Sequence, residues 1–238
     1  MPGIGTIVNS IAVILGGIAG LLLKKGLEER YQTTIMQATG LAVIFIGIGG
    51  AMEKMLLQGE SGLVSDGGMA AAIALAAGAL IGEKINIEKK ISRFGDYLRQ
   101  KAGQGGDSRF TDGFVMTSLT ICVGAMAIIG PIQDGLMHDP SMLYTKAILD
   151  GVIVAIFSSA FGLGAVFSVI PLFIFQGSVT VLSGLIRGFL TQPMLDGISM
   201  VGSMLIFCVG VNLIFPVKIK VANMLPSLLI IAVYKMIF

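Results

Sequence analysis

Tryptophan is missing altogether, histidine occurs once, cysteine twice, and only 13% of the 238 residues are charged. The shortage of charge excludes most. A soluble domain needs about 25% charged residues to cover its surface. With 55% hydrophobic residues and a mean hydropathy of +0.90, this chain cannot clothe a globule of its length in polar groups. His138 stands beside Asp139 and Pro140 and reads as a solvated loop residue rather than a base or pH sensor. Cys122 and Cys208 lie in apolar runs, with no second cysteine or histidine at metal-ligand spacing, so they read as small buried hydrophobes. HExxH, GxSxG, a Walker loop and a Gly-rich dinucleotide turn are all missing, and no nucleophile stands with a base. The expectation is a protein that is not an enzyme and uses no cofactor or metal. The net charge of +2 gives no reason to expect nucleic acid as a partner. Without tryptophan, anchoring at a membrane surface falls to Tyr, Lys and Arg.

What is present is a series of long apolar runs. A bilayer core takes about 20 apolar residues per helix. On that measure eight spans fall near 4–23, 35–53, 67–83, 113–132, 146–162, 165–187, 195–215 and 219–237. Gly162-Leu163-Gly164 offers the turn between the fifth and sixth. The first run lacks a basic leader and a small-residue cleavage site, so it is expected to remain as a span. Residues 1–238 are expected to form one all-α transmembrane domain, a polytopic helix bundle whose first partner is the lipid bilayer. The 33 glycines suit close helix contacts in lipid, notably Gly16-x-x-x-Gly20 and Gly78-x-x-x-Gly82. These motifs could join helices of one chain or of a homo-oligomer.

The basic residues orient the bundle. Lys24, Lys25, Arg30, Lys84, Lys89, Lys90, Arg93, Arg99, Lys101, Arg109, Lys218 and Lys220 fall on one side, leaving Lys54, Lys146, Arg187 and Lys235 for the other. The positive-inside rule places the first set in the cytoplasm and both termini outside. Within 84–110, Ile87, Ile91, Phe94 and Leu98 form a helical stripe among basic residues, an amphipathic helix expected on the inner leaflet. Gly103 to Ser108 is its linker to the fourth span. The outer side carries Glu53, Glu60, Asp66, Asp134, Asp139, Asp150 and Asp196, an acidic mouth that would concentrate cations.

Helix breaks mark the candidate site. Proline at 131, after Gly130, removes a backbone donor, and freed backbone groups cannot face lipid. Gln133 and Asp134 follow it. Pro171 interrupts the sixth span ahead of Gln176, and Pro226 breaks the eighth just after Asn223. Asn9 and Asn212 are further polar residues at membrane depth. Broken helices with adjacent polar groups are how many transporters build a solute site. Against this stand two plainer readings: a helix ending at the interface before Asp134, and interhelical hydrogen bonds for each Asn. Asp150, one turn after Lys146, reads as its structural partner. Ile44-Phe45-Ile46-Gly47-Ile48, Ile121-Cys122-Val123-Gly124-Ala125 and Phe207-Cys208-Val209-Gly210-Val211 resemble one another. That likeness is either an inverted repeat or the chance similarity of Gly-punctuated runs.

Several blocks together resemble a known family. They are Pro2 to Asn9 with Gly16-Gly17, Cys122 to Ile128 with Gln133-Asp134-Gly135, and Leu149-Asp150-Gly151 with Ser168 to Pro171 and Gln176-Gly177, then Gly210 to Leu213 and Ile219 to Pro226. In this order they are similar to the YqgA-like family of bacterial multi-pass inner-membrane proteins, a domain-of-unknown-function family. Pro131 stands where that family would carry a small residue. The resemblance implies a membrane location and no activity. The residues favour a transporter of a small polar or cationic solute, sited between 130–134 and 223–226 and closed by Asn9, Gln176 and Asn212. A passive channel and a non-transporting scaffold or assembly protein are the alternatives.

Overall fold

A computed structural model describes residues 2–25, 28–59, 62–106, 109–124, 126–186, 188, 190–215 and 218–237. The expectations resting on Glu60, the Asp107-Ser108 end of the linker, Ala125 and Arg187 lie outside these, as do the side chains of Lys24 and Lys25. Among the described residues, six helices are long and apolar enough to cross a membrane: 4–23, 33–55, 68–85, 141–161, 163–185 and 192–214. A seventh crossing arises if the pair Phe110–Cys122 and Met126–Met137, bent by 60° at their junction, counts as one span. The eighth expected span is a shorter apolar segment, Val221–Ile237. The all-α membrane architecture stands.

The chain divides into two compact units. Unit 1 comprises residues 1–39, 91–122 and 126–189. Its elements are α1 (Ile4–Lys25), the first part of α2 (Glu29–Met55), most of α4 (Ile87–Lys101), α5 (Phe110–Cys122), α6 (Met126–Met137), α7 (Ser141–Phe161), α8 (Leu163–Val166) and α9 (Val169–Ile186). Gly5, Thr6, Asn9, Ser10, Val13, Gly17 and Gly20 recur at helical spacing, and α1 buries that face. Its small residues let α7 come close: a Cβ on Gly16 would collide with the Gly151 carbonyl, and one on Gly20 with the Ala155 carbonyl. Gly16-x-x-x-Gly20 is therefore used within the chain. Gly5 meets Leu143 and Gly20 meets Ala155, so α1 and α7 run parallel. Asn9 meets Gln176 and Gly3 meets Thr180, so α9 runs antiparallel to α1.

The amphipathic helix α4 is shorter than 84–110, starting after Asn86, whose φ of 56° caps α3 in the left-handed region. Only part of its apolar stripe is free. Leu98 is buried, Gly95 abuts Phe114, and Thr111 of α5 donates to Asp96 Oδ1 at 2.7 Å. Phe94 and Tyr97 remain exposed.

Unit 2 comprises residues 40–90, 123–125 and 190–238. It holds the rest of α2, a hairpin of β1 (Leu56–Gly59) and β2 (Gly62–Ser65), α3 (Gly68–Ile85), α10 (Gln192–Ile214), a 3-10 turn η1 (Val221–Met224) and α11 (Pro226–Ile237). The antiparallel hairpin pairs Leu56 with Ser65 and Gln58 with Leu63. Lys54 pairs with Asp196 at 3.2 Å while Gly40 abuts Leu213, so α2 and α10 are antiparallel. Asp66 pairs with Lys235 at 3.6 Å while Glu83 meets Asn223, so α3 and α11 are antiparallel too. Gly78 abuts the Ser227 backbone and Gly82 the Asn223 carbonyl, giving the second small-residue motif an intrachain partner as well.

Candidate functional site

Helix α6 runs through Gly130 and Pro131 without a break. Proline in the second turn forfeits its bond to the Ala127 carbonyl, and that loss alone does not end the helix. The break lies upstream at Val123-Gly124, where Gly124 takes φ +131°, a conformation open to glycine and strained for other residues. Gly130 serves packing, since a Cβ there would lie 2.8 Å from Leu143 Cδ2. Pro171 sits in the first turn of α9 and starts that helix rather than interrupting it. Pro226 is the first residue of α11, following the 3-10 turn, a position where its missing N–H costs no bond.

The displaced break places its freed carbonyls beside α7. Ile121, next to last in α5, accepts a hydrogen bond from Lys146 Nζ at 2.8 Å. The same ammonium donates to Asp150 Oδ1 at 2.8 Å. Asn9 Nδ2 donates to Asp150 Oδ2 at 2.9 Å and to Gln176 Oε1 at 3.3 Å. Four helices of unit 1 thus meet in one polar ladder, with side-chain exposures of 8% for Lys146 and 3% for Asp150. Asn9 and Gln176 are fully buried. A carboxylate only accepts, so Asp150 requires the amide nitrogen of Asn9, and that nitrogen in turn requires the oxygen of Gln176. Asn9 Oδ1 and Gln176 Nε2 are left without a partner among the described residues.

One end of the ladder is apolar. Val13, Ile121, Val154 and Leu172, all fully buried, pack together one turn beyond Asn9, Asp150 and Gln176. The other end is open. A pocket of about 450 Å³ is lined by Pro2, Gly3, Thr6, Gly135, Gly177 and Thr180, among others. Beside it, Asp134 is fully buried and its Oδ2 accepts the backbone N–H of Gly5 at 2.9 Å, in the first turn of α1. A carboxylate there complements the positive end of the helix dipole.

Asn9, Asp134 and Gln176 therefore share unit 1, where Gln133 is half-buried on α6 with its carbonyl accepting from the Asp139 N–H at 3.4 Å. Asn212 and Asn223 belong to unit 2, where Asn212 is taken up locally and Asn223 joins η1 to α3 and α4. Asn212 closes the turn before η1 through two 2.8 Å bonds to the Ile219 backbone. Asn223 donates to Glu83 Oε2 at 2.6 Å and accepts from the Glu88 N–H at 2.8 Å. Sequence reasoning assigned Lys146 and Asp150 to the outer rim. Since α7 starts at Ser141, both fall inside the helix and are buried there. The acidic outer mouth loses Asp134 and Asp150 accordingly.

A family model described as "Protein of unknown function (DUF554)" matches residues 4–236. The chain belongs to the DUF554 family. It is similar to the "Uncharacterized membrane protein YdfK" of Bacillus subtilis (strain 168), 30% identical over 226 residues, covering 95% of this chain and 93% of that protein. It is equally similar to the "Uncharacterized protein YqgA" of Escherichia coli (strain K12), 30% identical over 231 residues, covering 95% of this chain and 94% of that one. No solved structure matches. The apolar helices and this kinship make the chain a membrane protein.

Proposed function

We propose that this membrane protein is a secondary transporter for a small polar or cationic solute, with its site at the Lys146–Asp150–Asn9–Gln176 ladder of unit 1. The observation that carries this reading is an ion pair buried at membrane depth, joined to the freed carbonyl of a broken helix and to two amides with unpaired atoms. Ionisable groups in that setting are costly and are retained for solute or ion passage. Purely structural packing would be served as well by apolar residues. The pocket at one end and the Val13–Ile121–Val154–Leu172 plug at the other suit a site open to one side at a time. A closed apolar plug is poorly suited to a continuously open channel.

The helix directions support eight crossings. If α5 and α6 together cross once, α7 must run parallel to α1, and α10 and α11 must run antiparallel to α2 and α3. Those are the directions found within each unit. A re-entrant α5–α6 pair would reverse all three. With the basic residues inside, both termini and the pocket face the outer side of a bacterial inner membrane. The two units then suit an inverted-repeat transporter.

The test is flux into proteoliposomes. Radiolabelled acetamide, glycine and sodium are offered to wild-type vesicles and to protein-free ones. Saturable uptake with counterflow of at least one supports transport. Rates equal to those of protein-free vesicles for all three would count against it, and unsaturable conductance would mean a channel.

A further inference from the structure

Asp134 has no ion-pair partner among the described residues. Its carboxylate is fully buried, Oδ2 is held by the Gly5 N–H, and Oδ1 has no partner among the described residues. The buried base of unit 1, Lys146, is already committed to Asp150 and the Ile121 carbonyl. The first turn of α1 offsets roughly half a charge. An ionised carboxylate in an apolar interior needs more than that, because uncompensated burial is expensive. Two further oxygens on the same stretch of α1 are buried and unpartnered: Thr6 Oγ1 and, one turn on, Asn9 Oδ1. Thr6 also lines the pocket of about 450 Å³, which gives this end of the helix a route from outside the unit.

We infer that Asp134 and Thr6 hold a monovalent, hard metal cation of the sodium or potassium class at the first turn of α1, with Asn9 Oδ1 linking it to the solute ladder. The chemistry selects the ligand. Carboxylate, hydroxyl and amide oxygens suit hard cations and not soft ones. A single carboxylate supplies at most one negative charge, which favours a monovalent cation over a divalent one. The inference deepens the transport reading and rests on it, since Asn9 would then be shared by the coupling ion and by the solute ladder. Asn9 Nδ2 already binds Asp150 and Gln176, so an ion held on its Oδ1 would fix the amide that presents the ladder.

The test is binding, read without transport. Thermal unfolding of the purified full chain is followed in sodium, potassium and choline chloride at equal ionic strength. Ligands that bind only the folded state raise its midpoint in a saturable way. The expected result is a saturable rise in sodium or potassium over choline for the wild type. Asp134→Asn keeps the Gly5 hydrogen bond and should fold, but it should lose the rise. Thr6→Val, which preserves shape, should keep the rise with affinity lowered about tenfold, one lost ligand's worth. Identical midpoints in all three salts would overturn the inference, as would a full cation effect in Asp134→Asn. Solute uptake measured on the same preparation separates the two ideas. Uptake without any cation effect sinks only this inference, while a cation effect without uptake sinks only the transport reading.

Discussion

Replacing Lys146 and Asp150 singly and together gives a sharp expectation, because their burial fixes the magnitudes. Both side chains are more than nine-tenths buried and lie 2.8 Å apart, so little solvent can screen either one. Lys146→Met leaves the Asp150 carboxylate uncompensated, and Asp150→Leu does the same to the ammonium. Removing one member of a buried pair costs about 3–5 kcal/mol. The double variant Lys146→Met/Asp150→Leu removes both charges. It leaves the Ile121 carbonyl and one Asn9 amide hydrogen unpaired, as the two single variants do between them, at about 1–3 kcal/mol each. Apolar packing in place of the pair recovers from nothing up to about 4 kcal/mol. With no charge left buried, the double variant should be more stable than either single variant. At roughly 2–4 °C per kcal/mol for a chain of this size, the single variants should unfold about 6–20 °C early. Without tryptophan, unfolding is followed by circular dichroism in detergent or by a thiol-reactive dye on Cys122 and Cys208. A single variant as stable as the wild type, or a double variant less stable than both singles, would show that the ladder is not a compensated buried pair.

The other predictions are smaller. A C-terminal alkaline phosphatase fusion should be active and a cytoplasm-dependent fluorescent fusion dark, if eight crossings put both termini outside; the reverse would break that topology. Gly82→Leu should yield no monodisperse protein on gel filtration, because its side chain would occupy the place of the Asn223 carbonyl. Asn212→Ala should lower the unfolding midpoint by the loss of two backbone bonds, about 1–3 kcal/mol, and leave uptake per folded molecule unchanged. Reduced uptake at normal stability would return Asn212 to the solute site.

The membrane bundle was legible because hydropathy and span length are dictated by the bilayer and need no tertiary knowledge. The glycine motifs were legible too, since α1 can approach α7 only where Gly16 and Gly20 leave room. The position of the break was not. Proline at 131 is the louder signal, but a proline near a helix start forfeits one bond, while Gly124 takes a backbone angle that ends α5 outright. Asn9, Asp134 and Gln176 were singled out for polarity at depth and are buried together in unit 1. Asn212 and Asn223 carried the same signal and find their partners within unit 2, Asn212 in the Ile219 backbone and Asn223 in Glu83 and the Glu88 N–H, a distinction that depends on which polar groups lie within reach. Lys146 and Asp150 were noticed as an i, i+4 pair, yet a span drawn from 146 left them at the rim. Five more residues at the start of α7 enclose both.

The most direct measurement of the central claim is uptake by the stable double variant. Wild-type and Lys146→Met/Asp150→Leu proteoliposomes, matched for folded protein, are compared for acetamide, glycine and sodium against protein-free vesicles. If solute crosses at the ladder, the wild type passes at least one of the three saturably and the double variant falls to the protein-free rate. Saturable uptake by the double variant at the wild-type rate would contradict the account.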